Sequence, residues 1–238
     1  MAVLHYLPIV LVIAAGAILS ITSHKLTFFG AIAAAGVGLL VFAGGGYTGF
    51  IMLVAFFLLG TLATSWEKEK KSQFKYKSDR STSRNAGQVL ANGGVPAILG
   101  LLVLWFPHHA GMFRLMMAGA LSSAIADTLS AELGMLYGRW FFNIITFRQE
   151  RKGPDGVISI TGLLFGIAGS SVIAFIYCLG FAKRFWLIII AGLVGNLADS
   201  VIGALYERKG LIGNNAVNFL NTMIAALAIW LFSLLLKL

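Results

Sequence analysis

Asp127, Glu132 and Asp199 stand inside apolar stretches of bilayer-crossing length, in "SSAIADTLSAELG" and "GNLADSVIGAL". Of the nine acidic residues, these three lie well within such stretches. An ionisable group in the hydrocarbon core costs at least ~2.5–3.5 kcal/mol on insertion scales, so three of them need a purpose. The two aspartates share a setting. Gly119, Ser123, Asp127 and Ala131 recur every fourth residue, as do Ala191, Gly195, Asp199 and Gly203. That spacing puts each set on one helix face. Each carboxylate therefore sits in a stripe of small residues that a helix or a ligand can approach closely. Such carboxylates hold Mg²⁺, with phosphates completing its shell, or serve ion-coupled transport. Glu132 lies about 140° round an ideal helix from Asp127, so it serves the same cavity only if the helix bends.

Amides form a second pattern. "NAGQVL" begins at Asn85 and "NAVNFL" at Asn215. Asn85, Gln88 and Asn92 fall at i, i+3 and i+7, as do Asn215, Asn218 and Thr222, giving two polar faces. The echoes predict an internal duplication with a site near the membrane midplane. Asn92 and Asn221 also have a simpler use as hydrogen-bonding glue between helices.

The elements that carry these residues follow from composition. Of 238 residues, 58% are hydrophobic and 11% charged, with a mean hydropathy of +0.87. A soluble domain carries about a quarter charged residues. The chain therefore reads as an all-α, polytopic helical membrane protein forming one integral membrane domain over 1–238. Spans of the required length are expected near 5–21, 28–44, 47–65, 86–105, 113–136, 157–179, 185–206 and 215–236, which is about eight in a range of six to eight. The first lacks a basic leader and reads as a membrane helix, not a signal peptide. A single cysteine, Cys178, excludes an intrachain disulfide framework and a thiolate metal cluster.

The segments near 22–27, 66–85, 137–156 and 207–214 hold 14 of the 18 Lys and Arg; Arg114, Lys183, Arg184 and Lys237 are the other four. The positive-inside rule puts the rich loops in the cytoplasm, in a cytoplasmic (inner) membrane. Trp66, Trp105 and Trp186 fit the interfacial belt. The net charge of +9 is then topological, and no nucleic-acid partner is implied. Lys68 to Lys77 read as topology signals touching anionic headgroups. Arg80 and Arg84 stand beside the Asn85 face, where a helix N-terminus favours anions. Arg148, Arg151 and Lys152 precede "GPDG", whose Asp155 and glycines read either as a phosphate cradle feeding a helix or as a plain turn. There is no P-loop. Arginines, amides, glycine turns and carboxylates together are the groups used in phosphoryl transfer, and the membrane setting implies a lipid substrate.

At these residues the sequence resembles a known family. "STSRNAGQVLANGGV", "SSAIADTLSAELG", "GPDGVISITG", "GNLADSVIGAL" and "NNAVNFLNT" are similar, in order, to the motifs of the transmembrane-protein-19-like family, which includes phytyl-phosphate kinase. The similarity runs over about 78–222, leaving the spans of 1–65 outside the motif-bearing core. Pro154 stands where that family usually has a threonine two residues before the glycine. The resemblance implies a kinase that converts a prenyl monophosphate (phytyl-, farnesyl- or geranylgeranyl-phosphate) to the diphosphate. A nucleoside triphosphate, CTP or ATP, would be the donor.

On that reading Asp127 and Asp199 hold Mg²⁺, and Glu132 is a third ligand or an orienting group. Arg80, Arg84, Asn85, Gln88, Asn92, Arg148, Lys152, Asp155, Asn196, Asn215 and Asn218 bind phosphate and nucleotide. The small-residue stripes receive the prenyl tail. Partners are the lipid phosphate, the nucleotide and membrane lipids, with a homo-oligomer left open. The competing expectation is a transporter or flippase for a small anion or lipid phosphate, in which Pro96 breaks a helix. A structural membrane protein would leave the buried acids without a purpose.

Overall fold

The computed structural model describes residues 2–72 and 83–237. Helix α1 (Ala2–Thr22) leads into α2 (Phe28–Ser65), a 38-residue helix folded back on itself at Gly46. Gly46 has φ 60° and ψ −156°, a region open essentially to glycine alone. The fold-back brings Phe42 and Phe50 edge to face at 6.3 Å and places Lys25 Nζ 2.9 Å from Ser65 Oγ, so the two ends of α2 meet. The limbs on either side of Gly46 match the segments expected at 28–44 and 47–65.

After the short α3 (Lys68–Ser72) come α4 (Ala86–Trp105) and α5 (Ala110–Tyr137). Helix α4 passes through Pro96 without a break, contrary to the expectation for a transporter. Two short strands, β1 (Phe141–Asn143) and β2 (Val157–Ser159), form an antiparallel ribbon with Phe141 opposite Ser159. Helices α6 (Ile160–Gly180), α7 (Phe185–Ile202) and α8 (Asn214–Leu235) complete the bundle, and α7 runs on into a π-helical turn, Gly203–Glu207. The span expected from 157 thus begins at Ile160. The β-branched Val157 and Ile158 pair with β1, and Ser159 Oγ caps α6 by accepting from Gly162 N at 3.0 Å.

The protein is an all-α polytopic membrane protein. Among the described residues, five helices are long and apolar enough to cross a bilayer: α2, α4, α6, α7 with its π turn, and α8. Helix α5 is too polar to join them, yet it is the central one, packing against α2, α4, α6, α7 and α8. Its residues from Ala118 to Ala126 are fully buried. Small residues permit that packing. A Cβ on Gly195 would lie 2.0 Å from Ser123 Oγ, and one on Gly119 would lie 2.6 Å from Ile229. The Gly119–Ser123 and Ala191–Gly195 portions of the two stripes are therefore filled by neighbouring helices, while Asp127, Ala131, Asp199 and Gly203 border a cavity. These packed portions leave no room for a prenyl tail, and to that extent the expectation is corrected. Without a hydrophobic drive between helices in lipid, such close backbone approach supplies van der Waals contact instead.

Candidate functional site

A cavity of about 1350 Å³ opens on the side of the basic loops, all four of which supply lining residues. Asp127 of α5 and Asp199 of α7 line it, with their carboxyls within hydrogen-bonding reach of each other. Ionised carboxylates so close repel strongly in a medium of low dielectric. A dipolar network surrounds the pair and holds Asp199. Asn221 of α8, fully buried, donates to Asp199 Oδ2 at 2.9 Å and accepts from Ser123 Oγ at 2.6 Å. Asn196 Nδ2 donates to Ser130 Oγ at 2.8 Å, and that hydroxyl donates to Gly162 O at 2.8 Å. The four helices α5 to α8 are thereby joined around the acids.

Glu132 reaches the same cavity and forms a buried ion pair with Lys71, Nζ to Oε2 2.5 Å. The same ammonium donates to Ala63 O at 2.7 Å and Thr64 O at 3.0 Å, so all three of its protons are used. Lys71 is 2% exposed. Its reading as a headgroup contact is therefore corrected: α3 turns it back under the end of α2, where burial requires a counter-charge. Nothing in "EKEKKS" separates this lysine from its neighbours, so the sequence held no signal for it.

The phosphate-binding candidates divide into two groups. Arg84, Gln88, Asn92, Lys152, Asp155, Asn196 and Asn218 line the cavity. Arg84 is pinned through its backbone: its N donates to Lys25 O at 2.9 Å, and its O accepts from Thr27 N at 3.0 Å. Its guanidinium lies 6.0 Å from the Phe56 ring, and burial lowers its pKa below the ordinary arginine value. Lys152 Nζ donates to Met135 O at 3.4 Å. Asn85, Arg148 and Asn215 do not line the cavity. Asn85 is instead the N-cap of α4, in a reciprocal capping box with Gln88 (3.0 and 2.9 Å). That signal was legible in the Asn-x-x-Gln spacing. Asn215 faces Gly87 beside a separate groove. Arg80 lies outside the described residues.

The "GPDG" loop lines the cavity, but β2 separates it from α6, so it does not feed the helix directly. It is seated on the π turn: Gly156 has φ +78°, and a Cβ there would lie 2.3 Å from that of Ala204. The N-termini of α4, α6 and α8 border the cavity through Gln88, Ser159 and Asn214, presenting positive dipole ends to an anion.

Among the described lining residues, Lys25, Lys68, Lys71, Arg84 and Lys152 are basic. Asp127, Glu132, Asp155, Asp199 and Glu207 are acidic. A site with five of each sign suits a polyanion that arrives with cations. Among the described residues no group of three or more His, Cys, Asp or Glu side chains could hold a metal alone. The facing pair Asp127 and Asp199 does suit Mg²⁺, which takes one or two carboxylates and completes its shell with water and phosphate.

The family described as integral membrane protein DUF92 matches residues 11–226. The chain belongs to this family. An uncharacterized membrane protein of Methanocaldococcus jannaschii is 38% identical over 191 residues, covering 79% of this chain and 77% of that one. The chloroplastic protein VTE6 of Arabidopsis thaliana is 28% identical over 200 residues, covering 80% of this chain and 60% of its own length. An uncharacterized membrane protein of Synechocystis is 28% identical over 195 residues, covering 80% and 76%. No solved structure matches. The DUF92 match bears out the family resemblance of the motifs, and it takes in α2 and most of α1 as well.

Proposed function

We propose that this DUF92 protein is a membrane-embedded kinase that converts a prenyl monophosphate to the diphosphate with a nucleoside triphosphate, CTP or ATP, and Mg²⁺. It crosses the inner membrane eight times, counting the limbs of α2 separately, with the cavity facing the cytoplasm. The observation that carries this reading is the facing pair Asp127 and Asp199 in a cavity of balanced charge, bordered by three helix N-termini.

The acceptor needs no general base. A phosphomonoester has its second pKa near ~6, so its oxygen is largely deprotonated at pH 7. That oxygen attacks the γ-phosphorus. A new P–O bond forms as the bond to the β,γ-bridging oxygen breaks, the nucleoside diphosphate leaves, and no proton is transferred. Asp127 and Asp199 would hold Mg²⁺, which when bound neutralises phosphate charge. Arg84 and Lys152, with Arg80, offset charge on the equatorial and leaving oxygens. Gln88, Asn92, Asn196 and Asn218 donate to phosphate oxygens, and Asn221 fixes the orientation of Asp199. Lys71 holds Glu132, which keeps that carboxylate an orienting group.

A transporter or flippase would need polar access from both sides. Beyond Asp127 the buried run from Ser122 to Ala118 has no exposed residue, which favours the enzyme. The test uses purified protein, Mg²⁺, each nucleoside triphosphate, and phytyl, farnesyl or geranylgeranyl monophosphate. The expected result is diphosphate by mass spectrometry from wild type and none from Asp127→Asn or Asp199→Asn. Folded wild-type protein that makes no diphosphate with any pair would overturn the kinase, and lipid-phosphate flux across proteoliposomes would then be measured.

A further inference from the structure

Helix packing closes the two aspartate stripes at Gly119 and Gly195, so the tail of a lipid substrate cannot run along them beyond the cavity. A third stripe is differently placed. Gly87, Ala91, Gly94 and Ala97 lie along one side of α4 and line an apolar groove of about 510 Å³. Leu40 of α2 borders it on one side and Phe219 of α8 on the other. Its outer rim is formed by Leu90 and Ile98, 49% and 52% exposed, on the face an apolar bundle turns to lipid. No helix fills it. A Cβ on Gly94 would meet only the edge of the Phe219 ring, at 3.3 Å.

The groove and the polar cavity share the same two helices. On α4, Gln88 faces the cavity while Gly87 faces the groove; on α8, Asn218 faces the cavity while Asn215 faces the groove. The two compartments lie side by side at the N-terminal ends of α4 and α8, where Asn215 lies against Gly87. The groove extends fourteen residue steps along α4, from Gly87 to Leu101, or about 21 Å at the helical rise. That is about two thirds of a ~30 Å hydrocarbon core.

We propose that this groove binds the isoprenoid tail of the acceptor, which enters sideways from the bilayer and lies along α4 while its phosphate passes over the Gly87–Asn215 contact into the cavity. The proposal rests on the prenyl-phosphate reading. The occupant follows from the chemistry. An apolar channel that begins at the mouth of a polyanion site and runs down the bilayer fits an anionic lipid with one long unbranched-width tail. Small residues on its floor leave the width for methyl branches.

Two measurements test it. The first is photolabelling with a geranylgeranyl monophosphate that carries a diazirine near its tail end, mapped by mass spectrometry and competed with the unlabelled lipid. Competed label is expected on Leu90, Ile98 or Phe219. Label spread over the lipid-facing side of α6, at Leu164 and Phe175, would mean annular lipid and overturn the proposal. This readout does not need turnover, so it separates failure of the groove from failure of the kinase reading.

The second compares kcat/KM for geranylgeranyl and dimethylallyl monophosphate. Leu90→Trp or Ile98→Trp fills the groove from its exposed rim, and the long-to-short ratio should fall about tenfold or more, because burial of several methylenes is lost. Leu164→Trp, also exposed but on α6, should keep the ratio. A ratio that falls equally in all three variants would refute a tail site at α4.

Discussion

The Lys71 ammonium and the Glu132 carboxylate meet at 2.5 Å beneath the end of α2, with side-chain exposures of 2% and 10%. Breaking a buried pair from one side leaves an uncompensated charge, at a cost of about 3–5 kcal/mol. Lys71→Met should therefore lower the Tm markedly. Adding Glu132→Gln should restore part of the loss, because the second change removes the orphaned charge. Additive losses in that double-mutant cycle, followed by thermal unfolding in detergent, would show that the two side chains do not depend on each other.

Asn221 is a positioning residue, holding Asp199 from α8. Orienting groups behind metal ligands commonly change metal affinity 10- to 100-fold, about the effect expected here. Asn221→Leu should raise the Mg²⁺ concentration for half-maximal turnover by that factor while leaving turnover at saturating Mg²⁺ largely intact. Lost turnover that Mg²⁺ does not rescue, in protein of unchanged Tm, would contradict an orienting role.

Gly156 and Gly210 both have positive φ, +78° and +71°, but only Gly156 meets a neighbour. An L-residue in left-handed backbone costs about 1–2 kcal/mol. Gly210→Ala should show that cost alone. Gly156→Ala should add the clash with Ala204, unseat the loop from the π turn and raise the KM for nucleotide. Equal effects on Tm and KM at both positions would mean that the seating of the loop is unimportant.

The ribbon is tied to the π turn through Glu150. The Arg208 guanidinium, and after it the Asn143 amide, hold the Glu150 carboxyl below its ordinary range. The folded pKa is depressed, so the stabilisation is present above the ordinary value near ~4.3 and is lost as pH falls through the depressed one. Glu150→Gln should lower the Tm at neutral pH, with the gap to wild type closing in acid. High salt should also narrow it, since the pair is partly exposed. A gap independent of pH would assign the effect to packing.

The membrane class follows from amino-acid order alone, because the apolar runs cannot be accommodated in a soluble domain of this length. That order also determined which acids are costly, and that the basic loops supply one side. Helix periodicity placed Asp127 and Asp199 on small-residue faces, since i, i+4, i+8 geometry is local.

Tertiary structure decided what each face meets. Periodicity cannot say whether a small-residue stripe borders a ligand or another helix: the aspartate stripes border helices at Gly119 and Gly195 but the cavity at Asp127, Ala131, Asp199 and Gly203, while that of α4 borders an open groove. Nor can composition tell a lysine at the headgroups from Lys71, whose burial depends on a turn between α2 and α3 and on Glu132 sixty-one residues away. Long-range pairing of charges is set by how elements pack, and no local pattern encodes it.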